Sequence, residues 1–307
     1  MKADLHLHSD WSDGTDRPAE VLRAAAAAGL EAVSLTDHDT MAGVTEFLVE
    51  ARRANIMAWP GVEIDCTETE LGYRSELLAY FPNTEPPATA TLLSALRSRR
   101  LERTKGHIDE ARRLFGRSDL HFGDMLARRL TAHGERDPEG ISWSRLDVYR
   151  YLLRKSAIPA KTTYREFRKA FFDSGLLRDG KYRKPGLDEV MKPVLADGGY
   201  AVIPHPAHTI GDDPERLDRE HPRLIALLER FREAGVSGIE LYAYAGESRK
   251  RLNDVFASLA LAMGFTLTYG SDCHGSASDR LRIGTFHGPF DGFPWSRADD
   301  VPHKRTP

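Results

Sequence analysis

The sequence predicts an α/β fold built on parallel strands and broken by a long helical insertion. Three observations predict it. Short strand-like runs alternate with amphipathic helical runs over residues 1–85. The rhythm stops over 86–185, where only helices are read, and it resumes over 186–290. In parallel sheets and barrels functional groups collect where strands end, and this chain repeatedly places His, Asp and Glu at such ends.

The first elements are the clearest. "KADLHLHS" alternates at the strand period, with Leu5 and Leu7 on one face and His6 and His8 on the other. "DRPAEVLRAAAAAGL" reads as a helix, with Pro18 in its first turn and Gly29 past its end. "EAVSLTDHD" is a strand with a polar end, "TMAGVTEFLVEARRAN" a helix, and "IMAWPGVEIDC" a third strand with Glu63 near its end.

The insertion begins with the basic stretch "ATLLSALRSRRLERTKGHIDEARRLFG", followed by "SWSRLDVYRYLLRKSAIP" and "YREFRKAFFDSG". The α/β alternation then returns. "LDEVMKPVLADGG", "RLIALLERFREAG" and "ESRKRLNDVFASLALAMG" are predicted helices, interleaved with strands "YAVIPHP", "VSGIELYAY" and "FTLTYGSDCHG". His205, Glu240, Asp272 and His274 fall at or near those strand ends. Residues 291–307, rich in Pro, Asp and Arg, are expected to form a loose tail.

Bulk properties narrow the function classes. A chain of 307 residues with 41% hydrophobic residues can bury a full core. A formal charge of −3 gives no general attraction to nucleic acid or to an anionic membrane. The two cysteines, Cys66 and Cys273, form no CxxC pair, which fits a reducing compartment. Neither a secretory h-region nor an apolar run long enough to span a membrane is read, so a cytoplasmic protein is expected. No stacking aromatic pattern points to a sequence-specific nucleic-acid reader.

Five strand ends carry the chemistry: "HLHSDWSD", "LTDHD", "GVEI", "IPHP" and "GSDCHG". Imidazoles and carboxylates are poor core material unless paired or metal-bound. Each motif alone has a plain reading, a solvated HxH or a helix cap at TDHD. Asp10 and Asp16 read as turn and cap residues. Together they crowd too many ionisable groups onto one surface for that, and they match the ligand set of zinc, manganese and iron.

The chain resembles the PHP (polymerase and histidinol phosphatase) superfamily of metal-dependent phosphoesterases, and most closely its branch of small nucleoside mono- and bisphosphate phosphatases. The resemblance rests on "DLHLHSDWSDGTDRPAEVLRAAAAAGLEAVSLTDHDTMAG", then "PGVEI", "GGYAVIPHP", "GIELY" and "GSDCHG" in order. It implies a distorted (β/α)7 TIM-like barrel over 1–85 and 186–290, with 86–185 as a helical cap. It also implies two or three divalent ions (manganese, zinc or iron). His6, His8, Glu63 and Asp272 would hold one ion, and Asp13, His38 and His274 another. Glu63, His205 and Glu76 would hold a third; Glu76 stands in "ELLAY" where the family pattern has histidine. Asp37 is expected to orient an imidazole, and His208 to act near the reacting phosphate.

Within the insertion, Arg145 of "SRLDVYRYL" keeps a phosphate-contact position, and Asp147 stands where the family has a histidine. Arg103 and Lys105 are the further candidates for phosphate contact, from a basic run that otherwise reads as a solvated helix face. The expected activity is hydrolysis of a small phosphomonoester, of the nucleotide class, by metal-activated water. Two alternatives stand beside it: the same metals acting on a non-phosphate ester, amide or cyclic substrate, and a non-catalytic metal-binding module.

Overall fold

The computed structural model describes residues 1–133, 137–278 and 281–296. The described chain divides into two compact units, one of residues 1–93 with 184 onward, the other of 94–183.

The first unit is a barrel-like α/β body. Its strands are β1 (Lys2–Leu7), β2 (Ala32–Leu35), β3 (Met57–Glu68), β4 (Tyr73–Tyr80), β5 (Tyr200–Ile203), β6 (Gly238–Tyr242), β7 (Thr266–Gly270) and β8 (Gly288–Pro289). They form one sheet in the order β7-β6-β5-β4-β3-β2-β1-β8. The end of β7 returns to β1. His8 N–H donates to Cys273 O at 2.9 Å and Asp272 N–H to His6 O at 3.0 Å. A seven-strand circuit is thereby nearly closed, with β8 a short antiparallel addition on β1.

Not every strand is parallel. β4, which sequence patterning left unassigned, pairs antiparallel with both β3 and β5. The cause is the connection. Only a short turn at Thr69–Leu71 and Gly72, with φ of 71°, separates β3 from β4. A parallel crossover needs a dozen or more residues, so a hairpin is the only pairing available.

Helices α1 (Pro18–Ala27) and α2 (Val44–Ala54) cover the outside of β1 and β2. Val21, Leu22, Ala25, Phe47 and Ala51 pack there against Leu7, Val33 and Leu35. A second cluster gathers Ala3, Leu5, Ala32, Met57, Trp59, Leu78, Tyr80, Val202, Phe290 and Phe293 at the barrel end where β1, β2 and β3 start and the antiparallel β4 finishes. Leu5 and Leu7, predicted to share one face, fall in different clusters because the β1–β2 register shifts between Asp4 and Leu7. The expected loose tail is also revised. Phe293 is buried among aromatic side chains and Trp295 packs on them; residues 297–307 lie outside the described residues.

The second unit is helical. The 28-residue helix α3 (Pro87–Leu114) runs across the boundary of the two units, which moves the division from the expected 86 and 185 to 94 and 183. α4 (Phe122–His133), α5 (Arg145–Arg154) and the short α6 (Tyr164–Phe167) follow. Ile108, Leu120, Trp143, Val148, Tyr151 and Phe167 are buried there. The remaining helices, α7 (Leu187–Ala196), α8 (Leu217–Glu233) and α9 (Ser248–Met263), belong to the first unit. No helix among the described residues is long and apolar enough to cross a membrane.

Candidate metal centre

Strand geometry assembles the site from the ends of β1, β2, β5 and β7 with the loops that follow them, and from the middle of β3 and β4. Glu63 on β3 is its hub. Its Oε2 lies 3.3 Å from His6 Nε2, 3.4 Å from His8 Nε2 and 3.0 Å from His38 Nδ1. Its Oε1 lies 3.0 Å from His205 Nε2. Asp272 Oδ1 approaches His8 Nε2 at 3.1 Å and His6 Nε2 at 3.6 Å. Asp13 Oδ1 lies 3.1 Å from His274 Nε2 and 3.8 Å from His38 Nε2. The His8 and His274 rings stack with centroids 4.2 Å apart.

Three groups bring all their ligand atoms within 4.8 Å of one another: His6, His8, Glu63 and Asp272; His8, Asp13, His38 and His274; and Glu63, Glu76 and His205. The first two share His8 and the first and third share Glu63. All nine sequence-derived metal candidates are therefore brought together.

The donor chemistry fits divalent cations. His6 Nε2, both His8 ring nitrogens and Glu63 Oε2 are buried without a hydrogen bond, although such atoms normally find partners. His6 presents Nε2 in ligand fashion because its Nδ1–H donates to Glu240 Oε1 at 2.9 Å, and a carboxylate only accepts. Burial, reinforced by the neighbouring His274 and His38, pushes His8 down to about 3 in spite of Asp272. It is a neutral imidazole, the form that binds metal. Burial opposes charge on Glu63 and Asp13, yet the imidazoles prevail. His38 and His6 hold Glu63 well below its ordinary range, and His274 and His38 do the same for Asp13. For His6, burial is outweighed by Glu240, Glu63 and Asp272, which raise it well above an ordinary histidine.

Asp37 is a correction. It accepts bonds from Ser9 N–H at 2.7 Å, Ser9 Oγ at 2.6 Å and Ser12 Oγ at 2.5 Å, not from an imidazole. It pins the loop between β1 and Asp13 and so positions a ligand through the backbone. His208 stacks on His205 with centroids 4.3 Å apart, and its Nδ1 lies 2.8 Å from Asp212 Oδ1.

Glu240 and Lys184 carry roles that sequence reasoning did not assign. Glu240 also accepts His205 N–H at 2.8 Å, fixing a residue whose φ is 31°. Tyr242 Oη donates to Asp272 Oδ2 at 2.9 Å. The strand-end position of Glu240 was a usable signal; nothing in the sequence near Lys184 was.

The phosphate candidates Arg145, Arg103 and Lys105 belong to the helical unit. Arg145 donates to Asp179 through Nε at 3.2 Å and through Nη2. The Arg103 guanidinium lies 4.0 Å over the Tyr182 ring. His107, fully buried, places Nε2 3.3 Å from Asp179. Burial works against charge on Asp179, but His107 and Arg145, with Arg103 nearby, hold it far below the usual carboxylate range. Lys105 pairs with Glu102 on its own helix at 2.7 Å. Asp147, expected beside a phosphate, instead caps α5: its Oδ2 accepts from Ser144 N and Oγ at 2.8 and 2.9 Å. Arg129 neutralises its other oxygen at 2.7 Å.

Comparison with known proteins agrees with this geometry. The PHP domain model matches residues 4–125. A phosphoribosyl 1,2-cyclic phosphate 1,2-diphosphodiesterase from Eggerthella lenta is 26% identical over 90% of this chain and 95% of its own. A 3',5'-nucleoside bisphosphate phosphatase from Chromobacterium violaceum is 29% identical over 92% and 90%. Among solved structures, a protein assigned as a metal-dependent phosphoesterase from Bifidobacterium adolescentis superposes with a TM-score of 0.68 at 25% identity, covering 91% of this chain and 90% of that one. The ligand-bearing strand ends, the nearly closed barrel and these likenesses agree: residues 4–125 match the PHP domain, and the chain is similar over nine-tenths of its length to phosphoesterases.

Proposed function

We propose that this chain is a metal-dependent phosphoesterase of the PHP family and hydrolyses a small phosphomonoester of the nucleotide class. The observation that carries the reading is Glu63, one buried carboxylate facing four imidazoles and shared between groups of ligand atoms. His6, His8, Glu63 and Asp272 would hold one ion, and Asp13, His38 and His274 with His8 a second. Ions bound there supply Lewis acidity toward a phosphoryl oxygen and acidify water toward neutral pH.

The remaining roles fall to side chains. Glu240 keeps His6 in the tautomer that presents Nε2. His208, its Nδ1 held by Asp212, is the proton donor to the leaving oxygen. Arg145 is the phosphate contact of the helical unit, with Arg103 beside it, and substrate phosphate would exchange with the Asp179 carboxylate. The nucleotide class is supported by the name of the Chromobacterium relative. The Eggerthella relative's name favours a second reading, a cyclic phosphodiester of a ribose phosphate.

The test, with manganese, is phosphate release from nucleoside monophosphates and nucleoside 3',5'-bisphosphates, and ring opening of a ribose 1,2-cyclic phosphate to its phosphomonoester, followed by chromatography. Turnover of the nucleotides, lost by more than about 100-fold in Glu63→Gln, is the expected result. Turnover of the cyclic ester alone favours the second reading. No turnover of any phosphate ester, with manganese bound, overturns both.

A further inference from the structure

Lys184 lies just before α7, outside the strands that carry the ligand set. Its backbone is nevertheless fixed by the β3–β4 hairpin. Thr67 N–H and Oγ donate to Pro185 O at 2.8 and 3.2 Å, and Thr67 pairs with Gly186 in an isolated parallel bridge. That pairing delivers the ammonium to a defined place. Nζ donates to Asp65 Oδ1 at 2.8 Å, Glu76 Oε1 at 2.5 Å and Ser75 O at 2.7 Å. Asp65 and Glu76 are direct partners across the antiparallel register, and Asp65 is buried. Three N–H groups meet three acceptors, so none is left over for a substrate phosphate.

The third group of ligand atoms therefore differs from the other two. In the first, His6 Nε2, His8 Nε2 and Glu63 Oε2 face one another without hydrogen bonds. In the third, Glu76 has both oxygens engaged, Oε1 by Lys184 and Oε2 by Ser75 Oγ at 2.8 Å. His205 Nε2 is bonded to Glu63 Oε1 and stands 3.9 Å from Glu76 Oε2. A divalent ion here would share one carboxylate with a fixed ammonium, like charge against like charge in a poorly solvated place.

We propose that the ammonium of Lys184 takes the charge-balancing place beside Glu76 that a third ion would otherwise fill, so that the barrel mouth carries two divalent ions and a fixed lysine. The proposal rests on the metal-dependent reading above. It makes Lys184 a positioning residue that holds Glu76 and Asp65 and contacts neither ion nor substrate.

Metal stoichiometry decides it without reference to activity. The full chain, Glu76→Gln and Lys184→Met are each dialysed against excess manganese, and bound ions per chain are counted by elemental analysis. The expected counts are two, two and three, because removing the ammonium leaves Asp65 and Glu76 facing each other beside His205. Three ions in the unaltered chain, falling to two in Glu76→Gln, would overturn the proposal, as would a folded Lys184→Met that stays at two. If Lys184→Met fails to fold, the unaltered chain and Glu76→Gln decide alone. No bound manganese in the unaltered chain would sink the metal-dependent reading itself, a result distinct from a count of three.

Discussion

At the scale of single residues, Glu240 shows how one carboxylate sets a centre through its neighbours. One oxygen accepts His6 Nδ1–H and the other accepts His205 N–H, all of it buried. An amide of the same shape cannot do both, since its NH2 end donates. Glu240→Gln must therefore cost either the His6 tautomer or the acceptor for a backbone held in the left-handed region. Manganese affinity is expected to fall ~10–100-fold with the fold retained, measured by competition against a chelator. Unchanged affinity would show that His6 is oriented by something else. Legibility at this scale follows position. Seven of the nine ligand candidates could be read because each lies at a strand end or in the loop after one. Glu63 falls within β3, past the end of its parallel part, and Glu76, inside β4, was named only through its place in "ELLAY". Asp37 was legible as ionisable but not in its partner, because whether a carboxylate meets an imidazole or a serine depends on loop geometry. Lys184 was illegible because its place comes from 185–186 pairing with β3, a contact between segments over a hundred residues apart in the chain.

At the scale of elements, strand packing at the barrel mouth depends on one position in β7. A Cβ on Gly270 would stand 1.8 Å from Glu240 Oε1 and 2.5 Å from His6 Cβ. The strand can lie this close to β1 and β6 only without a side chain there. Gly270→Ala should destabilise the chain by ~1–3 kcal/mol through overpacking, and it should weaken manganese binding as well, because the clash falls on His6 and its orienting carboxylate. Denaturant unfolding and a metal titration on the same sample check both. Lost stability with unchanged affinity would mean that the neighbours move without disturbing His6. The helices flanking the early strands were readable from period and end signals. β4 was not: "YRSELLAY" has no clean alternation, and its direction is imposed by the short turn before it. The register shift inside β1 was equally hidden, since an alternating sequence reads the same with or without a bulge.

At the scale of the barrel-bearing unit, stability and chemistry sit at opposite ends of the strands. Ligands gather toward the barrel end where the parallel strands finish, whereas Trp59, Tyr80, Phe290 and Phe293 are packed at the end where β1, β2 and β3 start and the antiparallel β4 finishes. Phe293 is the centre of that packing. Its ring meets Trp59 edge-on at 5.2 Å, lies 4.6 Å from Tyr80 and 4.9 Å from Phe290, and stacks on Trp295 at 5.2 Å. The composition of 291–307 predicted none of this, because two aromatic residues among Pro, Asp and Gly do not announce a docking site that five distant strands create. Phe293→Ala removes a buried ring from a place with few ways to collapse, so a loss of ~3–5 kcal/mol is expected. Since the cavity lies away from the ligand atoms, manganese affinity should not change. The metal should then raise the melting temperature of both proteins through the same binding term, leaving the deficit equal with and without it. Thermal melts at matched manganese concentrations, with affinity measured separately, test this. A variant that also binds manganese more weakly would show that the aromatic base and the metal-bearing mouth are mechanically coupled through the strands.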